Sequence, residues 1–244
     1  MSEEPQRLTG YEVDEQGVAL LRLQRPQARN AINTQMLVEM LEHLAVARGD
    51  EAVRVLVISS SDHMGLSAGA DVREELDESD GVRRMQLFAD LYDAITGFPK
   101  PTIAVCHGDV VGAGAEIAVA CDMRIGGSNL RLRFPGAAWG VPVGPGRLVT
   151  LCGLGAAKYL LLSSRTISAD EALRLGLVSR IAPAVATEQG ALDLAAEVAQ
   201  HPPEAVARLK RMLHDWDRLE ERSVEEGRGL VEWQRSGPGL PFRD

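Results

Sequence analysis

The order of apolar and polar positions predicts a series of strands in the first half of the chain. Two short apolar runs, Tyr11–Val13 and Val18–Leu23, flank a turn and predict a hairpin. Val53–Ser60 and Thr102–Val105 are apolar runs rich in β-branched residues, which is typical of buried strands. Another short strand is predicted at Met123–Ile125. Because helical patterns separate these runs, the sequence predicts one α/β domain.

Helical periodicity is clearest after the hairpin and after the first buried strand. Apolar residues recur every three or four positions from Gln35 to Arg48, with Asn33 or Thr34 as the cap, and again from about Val82 to Thr96. The acidic stretch Glu74–Asp80 has no such pattern, and we expect a mobile surface segment there.

The last third of the chain is mainly helical. Helical patterns dominate after Gly144, and two or three amphipathic helices are predicted between residues 187 and 235. We therefore divide the chain into an α/β core, residues 1–185, and a helical C-terminal extension, residues 186–244, within the same structural unit.

Two turns of very small residues carry the strongest chemical signal. Ser67–Asp71 and Gly112–Glu116 each follow a predicted strand, and the second leads directly into an apolar helical stretch. Small residues let backbone N–H groups approach a ligand closely. The carboxylate of Glu116 could act on the group that those N–H groups hold. This combination indicates chemistry on a polarised carbonyl, with backbone stabilisation of an oxyanion and proton transfer by Glu116.

Composition narrows the possible functions. The 244 residues include 26 Lys or Arg and 35 Asp or Glu, a net charge of −9, so nucleic-acid binding is not expected as the main function. No apolar run approaches the roughly 20 residues of a membrane span. Met1 to Arg7 is polar and acidic and lacks a signal-peptide core, so we expect a cytoplasmic protein.

The cysteines and histidines show no pattern of a metal or nucleophilic site. Cys106, Cys121 and Cys152 lie scattered in apolar surroundings, where we expect inert core side chains. His107 lies near the second turn, but no serine or cysteine has an obvious place opposite it, which favours a structural role.

Five motifs occur in a fixed order along nearly the whole chain. They are Arg25–Asn33, Ser67–Asp71, Lys100–Val105 with Gly108, Gly112–Asp122 and Ser168–Val178. Each is weak alone, but in this order they resemble the crotonase superfamily, the enoyl-CoA hydratase/isomerase family. The resemblance implies a crotonase-like α/β fold, a spiral of ββα units with a helical C-terminal trimerisation region.

The resemblance also implies a reaction on acyl-CoA thioesters. Proteins of this family hold the thioester oxygen with two backbone N–H groups, which correspond here to those of Ala70 and Ala113, and Glu116 matches a catalytic glutamate. No metal or redox cofactor is implied, and coenzyme A enters only as part of the substrate. The corresponding residues around CoA and the acyl group are Gln27, Ala28, Arg29, Ala31, Ala68, Asp71, Val72, Gly112, Pro135, Gly136 and Trp139. Asp71 has a second interpretation as a cap for the turn that follows it.

One position departs from the hydratase pattern. Hydratases of this family resemble one another in having a second glutamate directly after a proline. In this chain the residue after Pro135 is Gly136. Hydration needs an activated water and a proton for the α-carbon, and two carboxylates share that work most readily. We expect hydration of a 2-enoyl-CoA, with one-base enolate chemistry (isomerisation, decarboxylation) or acyl-CoA binding without turnover as alternatives. Glycine at this position is also expected to make room, which Trp139 or a larger acyl group could fill.

Two expectations complete the sequence analysis. Asp109, Glu74 and Glu75 are the acids that could replace the missing carboxylate, although both glutamates are better explained as solvated surface residues. The resemblance further implies trimers, often paired into hexamers, and apolar faces at Leu192–Val198 and Val206–Leu213 are compatible with such contacts.

Overall fold

A computed structural model describes residues 6–237, 239 and 240 of the chain. The first residues of the predicted α/β core, which make up most of the polar segment Met1 to Arg7, lie outside the described residues. The last residues of the predicted C-terminal extension also lie outside them. The strands are β1 Thr9–Val13, β2 Val18–Leu23, β3 Val55–Ser60, β4 Thr102–Cys106, β5 Asp109–Val111, β6 Met123–Gly127, β7 Arg131–Arg133, β8 Thr166–Ser168 and β9 Arg180–Ala182. The helices are α1 Thr34–Gly49, α2 Glu78–Thr96, α3 Ala113–Ala120, α4 Gly136–Trp139, α5 Pro145–Ser163, α6 Ala169–Arg174, α7 Thr187–Ala199, α8 Pro203–Asp217 and α9 Leu219–Ser236.

The strands form two sheets. The larger sheet has the order β1-β2-β3-β4-β6-β9, with β1 antiparallel to β2 and the remaining pairs parallel. The smaller sheet has the order β5-β7-β8. The predicted hairpin and buried strands are confirmed, whereas the three-residue strands of the smaller sheet are too short to give a sequence pattern.

Helices cover both faces of the larger sheet. On one face, the alternating side chains of β2 and β3 pack with the buried alanines of α7. On the other face, the remaining side chains of the same strands pack with α1, α2 and α3. This two-sided burial explains the continuous apolar runs of β3 and β4. The alanine side of α7 is thus covered within the chain and does not need a partner subunit to bury it.

The helix α1 begins where the sequence predicts. The side chain of Asn33 accepts a hydrogen bond from the N–H of Met36 at 3.0 Å, which caps the first turn. The opposite end of the chain returns to the core, since α9 packs along α2 and buries Leu230 and Val231. Among the described residues, no helix has both the length and the apolar character needed to cross a bilayer.

The acidic stretch Glu74–Asp80 is structured, contrary to our expectation. The carboxylate of Glu74 accepts hydrogen bonds from the N–H of Thr34 and pairs with Arg84 at 3.0 Å. Asp77 accepts a hydrogen bond from the N–H of Asp80 at 2.8 Å and caps α2, which therefore begins at Glu78 rather than near Val82. The hydrophobic periodicity alone could not detect this first turn, because its side chains are exposed.

Candidate active site

A cavity of about 660 Å³ lies between the two small-residue turns, α2, α4 and α9. Every predicted site residue except Glu116 lines it: Gln27, Ala28, Arg29, Ala31, Ala68, Ala70, Asp71, Val72, Gly112, Ala113, Pro135, Gly136 and Trp139. Apolar side chains of α2, α9 and the loop before α5 close its other side, namely Met85, Phe88, Tyr92, Val141, Val143 and Leu230. The cavity thus joins a wall of backbone and small residues to an apolar wall.

Short bridges fix the first turn against β5, which leads into the second turn, and against the segment before α1. Ser67 pairs with Val110 of β5, and Ala70 pairs with Ile32. Gly69 has a φ of +104°, and a Cβ placed on it would lie 3.1 Å from the carbonyl oxygen of Val111 and 3.6 Å from the nitrogen of Ala113. Glycine at this position therefore lets the first turn approach the start of α3 closely.

Two backbone N–H groups of these turns are left without an acceptor. In the bridge at Ala70, the N–H of Ile32 donates to the carbonyl oxygen of Gly69 at 2.8 Å. The N–H of Asp71 donates to the carbonyl oxygen of Ile32 at 2.9 Å. Among the hydrogen bonds of the described residues, the N–H groups of Ala70 and Ala113 donate to no protein group. Ala113 is the first residue of α3, where unpaired N–H groups and the helix dipole favour a negative charge. These two N–H groups are therefore suitable donors to a developing oxyanion.

Asp71 has a structural role on the cavity wall. Its carboxylate pairs with Arg25 at 2.5 Å and accepts a hydrogen bond from the N–H of Arg73 at 3.0 Å. The second bond matches the cap interpretation of Asp71. Since both of its carboxylate oxygens are engaged, Asp71 is poorly suited to replace the glutamate that is absent at Gly136.

Glu116 lies just beyond the cavity wall, one turn along α3 from Ala113. Its side chain is 1% exposed, and Oε2 accepts a hydrogen bond from Arg147 at 3.0 Å. Its Oε1 faces Gly144, the residue after the cavity-lining Val143. Burial raises the pKa of Glu116 to about 7, although Arg147 opposes this rise. A carboxyl with this pKa can exchange a proton near neutral pH.

Arg147 and Glu226 are functional candidates that the sequence analysis missed. Arg147 of α5 is 1% exposed and forms ion pairs with both Glu116 and Glu226 of α9. Its guanidinium also lies 4.8 Å from the ring centre of Tyr92. The sequence offers no spacing signal for this group, because the contacts join α2, α3, α5 and α9 across the fold. An arginine placed between apolar and glycine residues was the available hint.

Gly136 does not leave the open space that we expected. A Cβ placed on Gly136 would lie 2.6 Å from the carbonyl oxygen of Val141, which is closer than real Cβ contacts allow. The N–H of Val141 donates to the carbonyl oxygen of Gly136 at 2.8 Å, so the loop after α4 folds tightly back on this glycine. The expectation of extra room at Gly136 is therefore wrong, although Trp139 does line the cavity.

The other acids considered as replacements lie away from the cavity. Asp109 is 3.5 Å from Arg131, and Glu74 is paired with Arg84. Glu74 and Glu75 line a separate cavity of about 590 Å³ beside the first. None of the three lines the cavity that holds the two turns.

His107 and the cysteines have structural surroundings. The ring Nε2 of His107 lies 2.8 Å from the carbonyl oxygen of Asp62, and the residue does not line the cavity. Burial raises the pKa of Cys106 and Cys121 to about 12, which keeps both thiols protonated, and Cys152 is half-buried. Across residues 6–237, 239 and 240, no three His, Cys, Asp or Glu side chains are grouped to hold a metal ion.

Comparison with known proteins agrees with this geometry. A family model described as enoyl-CoA hydratase/isomerase matches residues 13–229. The chain is 35% identical over 202 residues to the 2,3-dehydroadipyl-CoA hydratase of Escherichia coli (strain K12), covering 82% of this chain and 79% of that protein. It is 33% identical over 202 residues to the short-chain-enoyl-CoA hydratase of Clostridium acetobutylicum, covering 81% and 77%.

A solved structure supports the fold. The crystal structure of an enoyl-CoA hydratase/isomerase from Xanthobacter autotrophicus Py2 superposes with a TM-score of 0.84 at 24% identity, covering 96% of this chain and 89% of that one. The predicted α/β, crotonase-like fold is confirmed. The family match spans most of the chain, and the chain belongs to the enoyl-CoA hydratase/isomerase family of the crotonase superfamily.

Proposed function

We propose that this protein is an acyl-CoA-processing lyase that adds water to the double bond of a 2-enoyl-CoA. The observation that carries the proposal is the pair of unengaged N–H groups, those of Ala70 and Ala113, on the wall of the cavity. The segments that correspond to the family's CoA-binding segments line the same cavity. Two relatives with more than 30% identity are named as a 2,3-dehydroadipyl-CoA hydratase and a short-chain-enoyl-CoA hydratase, which supports the same reaction.

In this proposal the backbone binds and polarises the thioester. The carbonyl oxygen accepts hydrogen bonds from the N–H groups of Ala70 and Ala113, and both bonds strengthen as negative charge develops on the oxygen. The CoA moiety lies along residues 27–31 and 68–73, where the guanidinium groups of Arg29 and Arg73 suit its phosphates. The acyl group extends toward the apolar side chains of α2 and α9.

A single carboxylate performs both proton transfers. Glu116 removes a proton from water as the water oxygen bonds to the β-carbon, and the electrons of the double bond move to form an enolate at the thioester oxygen. Glu116 then returns that proton to the α-carbon as the enolate collapses to the thioester. The product is a 3-hydroxyacyl-CoA, and Glu116 is restored. This sequence needs the substrate to reach Glu116, which does not itself line the cavity.

One observation favours a second candidate function. The backbone of Val141 occupies the position next to Gly136, and both oxygens of Asp71 are engaged, so the cavity wall offers no free second carboxylate. One-base enolate chemistry, such as double-bond isomerisation, needs only Glu116. Binding of acyl-CoA without turnover is the further alternative, and the ion pair between Glu116 and Arg147 is the observation that favours it.

Turnover of crotonyl-CoA tests the proposal. We expect the parent protein to hydrate it and Glu116→Gln to lose activity by about 10²–10⁴-fold, the usual contribution of general acid–base catalysis, while still binding a CoA thioester. Asp109→Asn is the matched control, because it removes the same charge near the second turn but away from the cavity. Exchange of the γ-protons of crotonyl-CoA without hydration would favour isomerase-type chemistry, because that reaction begins by removing a γ-proton. Equal, negligible rates in parent and Glu116→Gln with tight binding would favour a binding protein.

We further propose that the chain forms homotrimers, alone or as a dimer of trimers. Helix α8 buries Lys210 against the core and leaves an apolar stripe exposed on its outer side: Leu209, Met212, Leu213 and Trp216. A stripe at this spacing is typical of a helix that packs against another subunit. Sedimentation of a monomer at micromolar concentration would contradict this assembly. The cytoplasmic location stays a prediction.

A further inference from the structure

Two carboxylates share one arginine in the buried group behind the cavity. Arg147 donates to Glu116 Oε2 at 3.0 Å and also pairs with Glu226, and the side chains of Glu116, Arg147 and Glu226 are 1%, 1% and 7% exposed. Arginine bears one positive charge, whereas the two carboxylates bear two negative charges when both are ionised. Full ionisation of the group would therefore leave a buried negative charge without compensation.

Glu226 is fixed by contacts that do not involve Glu116. Its two oxygens accept hydrogen bonds from the N–H of Gly144 at 2.9 Å and from the N–H of Gly146 at 2.6 Å. Gly144 caps the N-terminus of α5, where the helix dipole favours a carboxylate. These contacts hold the Glu226 carboxylate beside Arg147 independently of Glu116.

Arg147 is fixed from its other side. Its Nη1 donates to the hydroxyl of Ser223 at 3.1 Å, and that hydroxyl donates to Asp93 at 2.6 Å. The Tyr92 ring covers the guanidinium at 4.8 Å. These contacts hold Arg147 in the space between the two carboxylates.

The charged and titratable groups that face Glu116 come from three helices. Helix α5 contributes Arg147, α9 contributes Glu226, and α2 contributes Tyr92 with Asp93 behind it. Burial raises the pKa of Tyr92 well above its usual range, so the phenol stays neutral. Of these groups, Glu226 is the one whose negative charge both shares Arg147 and opposes ionisation of Glu116.

We propose that Glu226 is a positioning residue for proton transfer: by sharing the guanidinium of Arg147, it prevents Arg147 from holding Glu116 permanently ionised. Glu226 does not line the cavity and acts only through Arg147 and Glu116. The inference rests on the proposed role of Glu116 in the reaction. In this inference, the Arg147–Glu226 pair keeps the Glu116 carboxyl able both to accept and to donate a proton.

Each electrostatic effect on the pKa of Glu116 has a definite direction. Burial raises the pKa of Glu116 to about 7, Arg147 lowers it, and Glu226 raises it. Removal of the Glu226 charge lowers the pKa of Glu116 in two ways, because a repulsive charge is lost and because Arg147 is free to pair with Glu116 alone. Both effects have the same direction.

Infrared titration of the Glu116 carboxyl tests the inference, with the signal assigned by subtracting the spectrum of Glu116→Gln. In the parent, we expect part of the Glu116 carboxyl to be protonated near neutral pH, because burial raises its pKa. In Glu226→Gln we expect the protonated fraction at that pH to fall several-fold and the acidic limb of the pH–rate profile to move to lower pH. Glu225→Gln is the matched control, since it removes the same charge from the neighbouring exposed position of α9.

An unchanged titration midpoint in folded Glu226→Gln would overturn the inference, even if the variant were less stable. If Glu226→Gln does not fold, Glu226→Asp retains acceptors for the two glycine N–H groups but lies one methylene farther from Arg147. The midpoint of that variant is also expected below that of the parent, and an unchanged midpoint would again overturn the inference. A shifted midpoint in a protein that exchanges protons of the bound thioester but does not hydrate it would leave the inference standing and remove the proposed hydration.

Discussion

Gly144 lies directly against the carboxylate of Glu116. A Cβ placed on Gly144 would be 2.7 Å from Glu116 Oε1, and the φ of Gly144 is +102°. The loop that begins α5 thus fixes the position of the buried carboxylate, and only glycine fits at its closest point.

Gly144→Ala should therefore affect both stability and turnover. The positive φ alone is expected to cost about 1–2 kcal/mol of unfolding free energy. The added methyl group also displaces Glu116, so turnover of crotonyl-CoA should fall. Urea unfolding and steady-state kinetics measure the two effects.

Gly140→Ala separates these effects. Gly140 also has a positive φ, +71°, but a Cβ there meets no atom within 4 Å. We expect a similar loss of stability with turnover close to that of the parent. Equal losses of turnover in both variants would contradict the placement of Gly144 against Glu116.

Ala113→Pro should remove one oxyanion donor while leaving the helix in place. Ala113 is the first residue of α3, where proline is tolerated and where no intrahelical hydrogen bond is lost. Loss of such a donor typically costs about 2.7–4 kcal/mol of transition-state stabilisation, or about 10²–10³-fold in kcat.

Ala113→Ser is the comparison for added bulk, because it keeps the N–H. The kcat of both variants and the circular dichroism of each should be measured together. Turnover by folded Ala113→Pro at the rate of Ala113→Ser would show that this N–H group does not hold the substrate oxygen.

Gly136→Glu, which restores the hydratase glutamate, should not accelerate hydration. The new Cβ would meet the carbonyl oxygen of Val141 at 2.6 Å, and such overpacking typically costs about 1–3 kcal/mol. Ala137→Glu, at the exposed neighbouring position, is the control for added charge. Faster hydration by Gly136→Glu at parental stability would mean that the loop after α4 leaves room for the acid after all.

The raised pKa of Glu116 predicts a pH dependence of stability. The folded state keeps a proton on Glu116 between the usual value of 4.5 and about 7, whereas the unfolded state releases it, so stability falls as pH rises through this interval. At about 1.4 kcal/mol per pKa unit, the full contribution is of the order of 3 kcal/mol.

Urea unfolding at pH 5 and pH 7.5 measures this contribution. The parent should lose more stability between the two pH values than Glu116→Gln, which has no proton to release. The same loss in both proteins would place the titrating group elsewhere.

The sequence predicted the cavity wall well because that wall is local. The turns at Ser67–Asp71 and Gly112–Glu116 are built from consecutive small residues that follow buried strands, and a motif of consecutive residues records such a turn directly. The hairpin, the cap at Asn33 and the buried strands were predictable for the same reason.

The surroundings of Glu116 could not be predicted in this way. Arg147 and Glu226 are 31 and 110 positions from Glu116 along the chain, and their contacts depend on how α3, α5 and α9 pack. The closure of the loop on Gly136 is a backbone contact with Val141, and no side-chain pattern encodes it. The sequence therefore indicated that the second catalytic acid is absent at Gly136, but not that the backbone of Val141 fills the space beside this glycine.

The vibrational frequency of the bound thioester carbonyl tests the central claim most directly. The claim is that the N–H groups of Ala70 and Ala113 hold the thioester oxygen in the cavity. Isotope-edited infrared spectra of crotonyl-CoA, labelled at the carbonyl carbon, should show the C=O stretch at lower frequency when bound to the parent, with a smaller displacement in Ala113→Pro. A bound carbonyl with the frequency of the free thioester in water would contradict the account.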